Sequence, residues 1–167
     1  MDWTKKEEVL NSLKEDGMNL KYASTALQND PEVVLIAVKQ NCWAIEYASE
    51  ELRNDPEIVK EAIKQNGKSI EYASPALKNN KEIAMMAIKQ YGGAIGYISE
   101  ELRNDENLMR VALKTCSWAY QFAGPELKEK YPTVEKFIES TKEKVKSKET
   151  SKEKPTRSRV KSKGQER

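Results

Sequence analysis

Tyr22, Tyr47, Tyr72, Tyr97 and Phe122 stand 25 positions apart, with no insertion between them. A fixed short period of this kind marks one small supersecondary unit copied in tandem, each copy burying its apolar face on its neighbours. The register is not confined to the aromatics. Leu27, Leu52, Leu77, Leu102 and Leu127 keep it, as do Ala37, Ala62, Ala87 and Ala112 and also Lys39, Lys64, Lys89 and Lys114. Ordering one 25-residue unit costs on the order of 35 kcal/mol at about 1.5 kcal/mol per residue, more than so small a piece recovers alone. Neighbouring copies are therefore required for stability.

Each unit carries its own helix signals. Asp55-Pro56-Glu57 and Asp30-Pro31-Glu32 place a short acceptor at the N-cap, a proline where its missing N–H costs nothing and a carboxylate at the positive end of the dipole. Ile58, Val59, Ala62 and Ile63 then form a helical stripe. Asn66-Gly67 predicts the stop after about 11 residues, with glycine in the left-handed geometry of a C′ position. A shorter helix is expected around Ile70, Tyr72 and Ala73. Ser74-Pro75 and Gly124-Pro125 break it and start a capped turn that sends the repeated leucine into the core. Trp3, Val9, Leu13 and Leu20 fit a degenerate first copy, and Pro132, Val134, Phe137, Ile138 and Val145 a closing helix.

The expected fold is all-α: tandem 25-residue helical repeats stacked as a short α-solenoid, with a disordered basic C-terminal tail. Residues 1–140 would form the repeat domain, about five copies plus terminal caps, and 141–167 the end of the capping helix and a Lys/Ser-rich tail. The formal charge of +2 hides a split, because residues 140–167 hold 8 Lys, 3 Arg and 4 Glu and carry +7, leaving −5 on the first 139. From about residue 147 onward the apolar content is too low for independent folding. Lys152, Lys154, Arg157, Arg159, Lys161 and Lys163 offer diffuse, salt-sensitive attraction to a polyanion, nucleic acid or an acidic surface. The stretch 154–161 is also a weak nuclear-import candidate.

Composition removes several classes of chemistry. Histidine is absent, and with it the commonest general base and metal ligand. Cys42 and Cys116 fall at different repeat positions and form no disulfide framework, which fits a reducing compartment. There is no glycine-rich phosphate loop and no metal-ligand spacing, so no catalytic residue, cofactor or metal is expected. The longest apolar run, residues 33–38, is far short of the roughly 20 residues that cross a bilayer. The charged start lacks a signal-peptide core. The expected location is cytoplasmic, with nuclear import or secretion into a host cell as alternatives.

The pattern Ala-Ser-x-x-Leu-Arg-Asn-Asp-x-Glu-x-Val, then Ala-Ile-Lys-Gln-Asn-Gly-x-Ala-Ile-x-Tyr, is clearest over residues 48–72 and returns over 23–47. It resembles the repeat family called Domain of Unknown Function 4116, across roughly residues 9–127. The resemblance implies a tandem helical repeat with no established activity and carries over no catalytic residue. Tyr91-Gly92-Gly93, Ile98 and Thr115-Cys116-Ser117 depart from the pattern. The family's spread among protists, large viruses and host-associated bacteria implies an effector as one setting for such a chain.

Positions shared by all copies read first as scaffold, so the tyrosine ladder is expected in the core. The deviations say more about function. One loop position reads Trp43, Lys68, Gly93 and Trp118; lysine and glycine there imply exposure, which makes Trp43 and Trp118 candidate partner contacts. The competing reading folds both indoles over their own helix ends. Lys39, Lys64, Lys89 and Lys114 lie in the last helical turn, where ammonium groups suit the dipole. Alternatively they form, with Gln40, Gln65 and Gln90, a row for an acidic peptide or phosphate backbone. Two functions remain: a non-catalytic adaptor holding a protein or peptide, or a polyanion-associated protein acting through its tail.

Overall fold

A computed structural model describes the backbone of residues 1–152 and the side chains of residues 1–143. Among the described residues every regular element is helical. Met1–Lys130 forms one compact unit and the chain from Tyr131 a second.

Five copies make up the first unit. Their long helices are Lys6–Glu15, Pro31–Gln40, Pro56–Gln65, Lys81–Gln90 and Glu106–Thr115, each of 10 residues. Starts follow the sequence logic: Asp30, Asp55, Asn80 and Asp105 each accept N–H bonds from the second and third helical residues. Ends do not. Asn66 closes its helix in extended backbone, φ −150° and ψ 117°, and its Oδ1 accepts the N–H of Lys68 at 3.0 Å. One asparagine thus terminates the α-helix and caps the next turn. Among the described residues none has positive φ, so Gly67 is not a left-handed C′ residue. It serves close packing instead: a Cβ there would meet the Ala87 carbonyl oxygen of the next copy, which would have to shift.

After each long helix the chain enters a 3-10 helix: Gly17–Tyr22, Cys42–Tyr47, Gly67–Tyr72, Gly92–Gly96 and Ala119–Phe122. Side chains three apart eclipse in a 3-10 helix; Cys42, Ile45 and Ala48 are buried at that period, as are Gly67, Ile70 and Ala73, and the small residues Ala44 and Ser69 beside them are buried too. A short turn completes each copy, capped by a serine side chain in copies 2 to 4. Ser49 and Ser74 accept the N–H groups of Leu52 and Leu77 at 3.2 Å, and those leucines are buried while Leu102 is half-buried.

Copies are joined in register. The N–H of Ser49, Ser74, Ser99 and Gly124 donates to the carbonyl of Gln28, Arg53, Lys78 and Arg103 in the preceding copy, at 3.0–3.1 Å. Lys6 reaches Asp30 at 2.8 Å and Lys81 reaches Asp105 at 2.5 Å, each bridging two N-termini. Lys6 chiefly holds the Asp30 carboxyl below its usual range; at Asp105 burial pushes upward, but Lys81 and two backbone N–H bonds outweigh it. A lowered carboxyl stabilises the fold above its unfolded pKa of about 3.9, and the gain is lost as pH falls through the lower folded value. Urea midpoints are therefore expected to drop between pH 5 and pH 2. In an Asp30→Asn/Asp105→Asn variant that drop should be smaller.

The second unit contains the helix Val134–Lys152. Phe137 is buried, with the ring of Tyr131 at 5.4 Å edge-on, and Ile138 is exposed. The helix runs past residue 147, where the sequence places the tail, because its Lys and Glu residues are good helix formers. The side chains of Val145 and Lys152, and all of Lys154, Arg157, Arg159, Lys161 and Lys163, lie outside the described residues.

Candidate functional site

The aromatic ladder is not in the core. Tyr47, Tyr72, Tyr97 and Phe122 are half-buried, and Tyr22 is 53% exposed. The 3-10 period explains the correction: the core position is two residues earlier, filled by Leu20, Ile45, Ile70, Ile95 and Tyr120, and the aromatic that follows is rotated out to the surface. Successive 3-10 helices touch one another, so their outward residues form one continuous row.

The two candidate tryptophans belong to that row. Trp43 is half-buried, edge-on to Tyr72 of the next copy at 6.2 Å. The Lys68 ammonium lies 5.9 Å from the Trp43 ring and 5.8 Å from the Tyr97 ring, a cation–π bridge between copies. Tyr97 first, and Glu71 after it, hold Lys68 above its usual pKa. Trp118 is 48% exposed, with Tyr91 at 6.5 Å and Phe122 at 5.7 Å, both edge-on. Glycine makes room for this last group. A Cβ on Gly93 would strike the rings of Tyr91 and Trp118, and one on Gly96 would come within 3.1 Å of Phe122. At the amino-terminal end Trp3 packs on Tyr22 at 5.1 Å, under the Lys21 ammonium.

The lysines of the long helices stand apart from this row. Lys39, Lys64, Lys89 and Lys114 are exposed in the last turns, with Lys64 paired to Glu61 at 2.9 Å. Their glutamine neighbours are exposed, but each donates its amide to the preceding copy. Gln40 donates to the Lys14 carbonyl at 3.2 Å, Gln65 to those of Val38 and Lys39 at 2.7 and 3.1 Å, and Gln90 to that of Lys64 at 3.3 Å. These are helix-end carbonyls of the preceding copy, which have no partner within their own helix. Gln65→Ala is expected to cost about 1 kcal/mol in a urea melt and to leave partner binding unchanged.

No group of three His, Cys, Asp or Glu that could hold a metal occurs among the described residues. Cys42 and Cys116 are free thiols and buried, and burial pushes the Cys116 thiol up. No helix among the described residues is long and apolar enough to cross a membrane.

In-register copies, a shared core and one outward row of rings define a tandem helical-repeat protein. The family model described as "Domain of unknown function (DUF4116)" matches residues 5–53, 31–78 and 80–128, and the chain belongs to that family. No curated protein and no solved structure matches it.

Proposed function

We propose that this chain is a non-catalytic interaction module that holds a protein or peptide partner against the face formed by its 3-10 helices. The observation that carries the reading is Trp118, nearly half exposed at 48% yet fixed in place by Tyr91 and Phe122. A large ring held rigid at a surface loses little entropy on binding, and tryptophan is enriched at binding hot spots. Lack of histidine and the burial of both thiols favour binding over catalysis. Two unpaired cysteines also suit work in a reducing compartment such as the cytoplasm.

The second reading, polyanion association through the tail, draws on the +7 of residues 140–167 against −5 for the rest. Affinity capture at physiological salt separates the two, comparing the intact chain, a Trp43→Ser/Trp118→Ser variant and a chain ending at residue 146. A partner lost with the tryptophans and kept without the tail supports the docking face. Loss only with the tail supports the polyanion reading and overturns the first.

A further inference from the structure

Beside the aromatic row runs a second column with the same period: Gln28, Arg53, Lys78, Arg103 and Lys128. Its position is fixed at both ends. Gln28 donates its amide to the Leu20 carbonyl at 3.1 Å, and Lys128 donates its ammonium to the Gln121 carbonyl at 2.9 Å. These long side chains thus fold back onto the carbonyl end of their own 3-10 helix, next to the aromatic that closes it.

The three members between them have no such partner. Arg53, Lys78 and Arg103 are half-buried, and none makes an ion pair within 4.0 Å among the described residues. The Nε atoms of Arg53 and Arg103 are buried without a hydrogen-bond partner. Burial draws the Lys78 ammonium below its usual pKa; Glu71 opposes the shift and Arg53 adds to it. Half-desolvated cations with little counter-charge are unfavourable, least so at Lys78 where Glu71 is near, and an anion bound beside them relieves the cost.

Compensation also fades along the array. The residue before each aromatic is Lys21, Glu46, Glu71, Gly96 and Gln121, so a carboxylate flanks the column in copies 2 and 3 but not in copies 4 and 5. The uncompensated end is the one where Trp118 is exposed.

Spacing selects the conformation of the ligand. Packed helices lie about 8–10 Å apart, which sets the rise from one cation to the next. A polyproline II chain has three residues per turn at about 3.1 Å each, so every third side chain returns to the same face after about 9 Å. A β-strand returns after two residues, about 6.6 Å, and drifts out of register. Aromatic-lined surfaces are also the usual receptors for proline-rich segments.

We infer that the 3-10 face takes an acidic polyproline II segment of a partner protein, with proline rings on Tyr97, Trp118 and Phe122 and a carboxylate at every third residue facing Lys78, Arg103 and Lys128. This rests on the reading of that face as the docking surface and adds the chemistry of what docks.

Fluorescence anisotropy with the full chain at physiological salt tests it, using a labelled peptide of five Glu-Pro-Pro triplets. Comparison peptides carry Lys-Pro-Pro triplets, or the same glutamates and prolines in two separate blocks. The Glu-Pro-Pro peptide is expected to bind at least about tenfold more tightly than either. Lys78→Gln/Arg103→Gln should weaken it by a similar factor with helicity unchanged. Absence of binding, equal binding of the block peptide, or indifference to Lys78→Gln/Arg103→Gln overturns the inference, the last pointing to the tail. Equal binding of the Glu and Lys peptides, lost for both in Trp118→Ser, overturns the acidic preference while leaving the docking face standing. Displacement of the Glu-Pro-Pro peptide by a single-stranded oligonucleotide at lower concentration overturns the choice of partner class.

Discussion

Ile70→Ala is expected to destabilise the repeat unit by about 2–5 kcal/mol, the range for deleting a buried aliphatic side chain and leaving a cavity. Ile70 is fully buried, and its 3-10 helix packs on the long helices of its own copy and of copy 4. The cavity would thus open between two copies as well as within one. A domain of this size has roughly 5–15 kcal/mol to lose, so the urea midpoint should fall steeply. Ile70→Val should cost only about 0.5–1.5 kcal/mol. A loss below about 1 kcal/mol for Ile70→Ala would place the residue outside the core. Tyr72→Ala, two positions on and half-buried, is expected to cost less than Ile70→Ala, the reverse of what a core tyrosine ladder requires.

Gly67→Val is the second large effect, at about 3 kcal/mol, the upper part of the range for overpacking a close contact. The obstacle is the carbonyl oxygen of Ala87, a backbone atom that cannot rotate away. Cys42 occupies the equivalent position in copy 2 and is buried, so that interface accommodates a Cβ. Gly67→Ala is accordingly expected to cost about 1 kcal/mol. Asparagine separates the two explanations of the glycine. If left-handed backbone were required, Gly67→Asn would be better tolerated than Gly67→Ala. With negative φ throughout the described backbone and close approach as the cause, Gly67→Asn should be the worse of the two.

The 25-residue ruler, the Asp-Pro-Glu starts and the serine caps were legible because each depends on a few adjacent residues acting through local geometry. Val9, Leu13 and Leu20 are buried in the first copy as expected, and Phe137 in the closing helix. The aromatic ladder misled because a repeated large residue reads as core. Its true place depends on a period of three, carried by small or easily overlooked residues such as Gly67 and Ala73. The structural part played by the glutamine row was not legible for a different reason: its partners are carbonyls about one copy away, which no side-chain pattern displays. Lys68 and Gly93 read as signs of an exposed position, whereas Lys68 is half-buried and Gly93 buried. The role of Lys68 as the bridge between Trp43 and Tyr97 required the distances. The column of Arg53, Lys78 and Arg103 was hidden among many surface charges; half-burial without an ion pair among the described residues, repeated at the 25-residue interval, sets it apart.

Site-specific photo-crosslinking in cells tests the docking face most directly, with a benzophenone-bearing phenylalanine analogue placed at Phe122 and, in a separate chain, at Lys89. Phe122 lies in the aromatic row and Lys89 is exposed in the last turn of a long helix. A discrete crosslinked partner from position 122 that is lost on Trp118→Ser, with none from position 89, is the predicted result. Crosslinks from position 89 alone, or from 122 only to whatever the basic tail gathers and absent once the chain ends at residue 146, would contradict it.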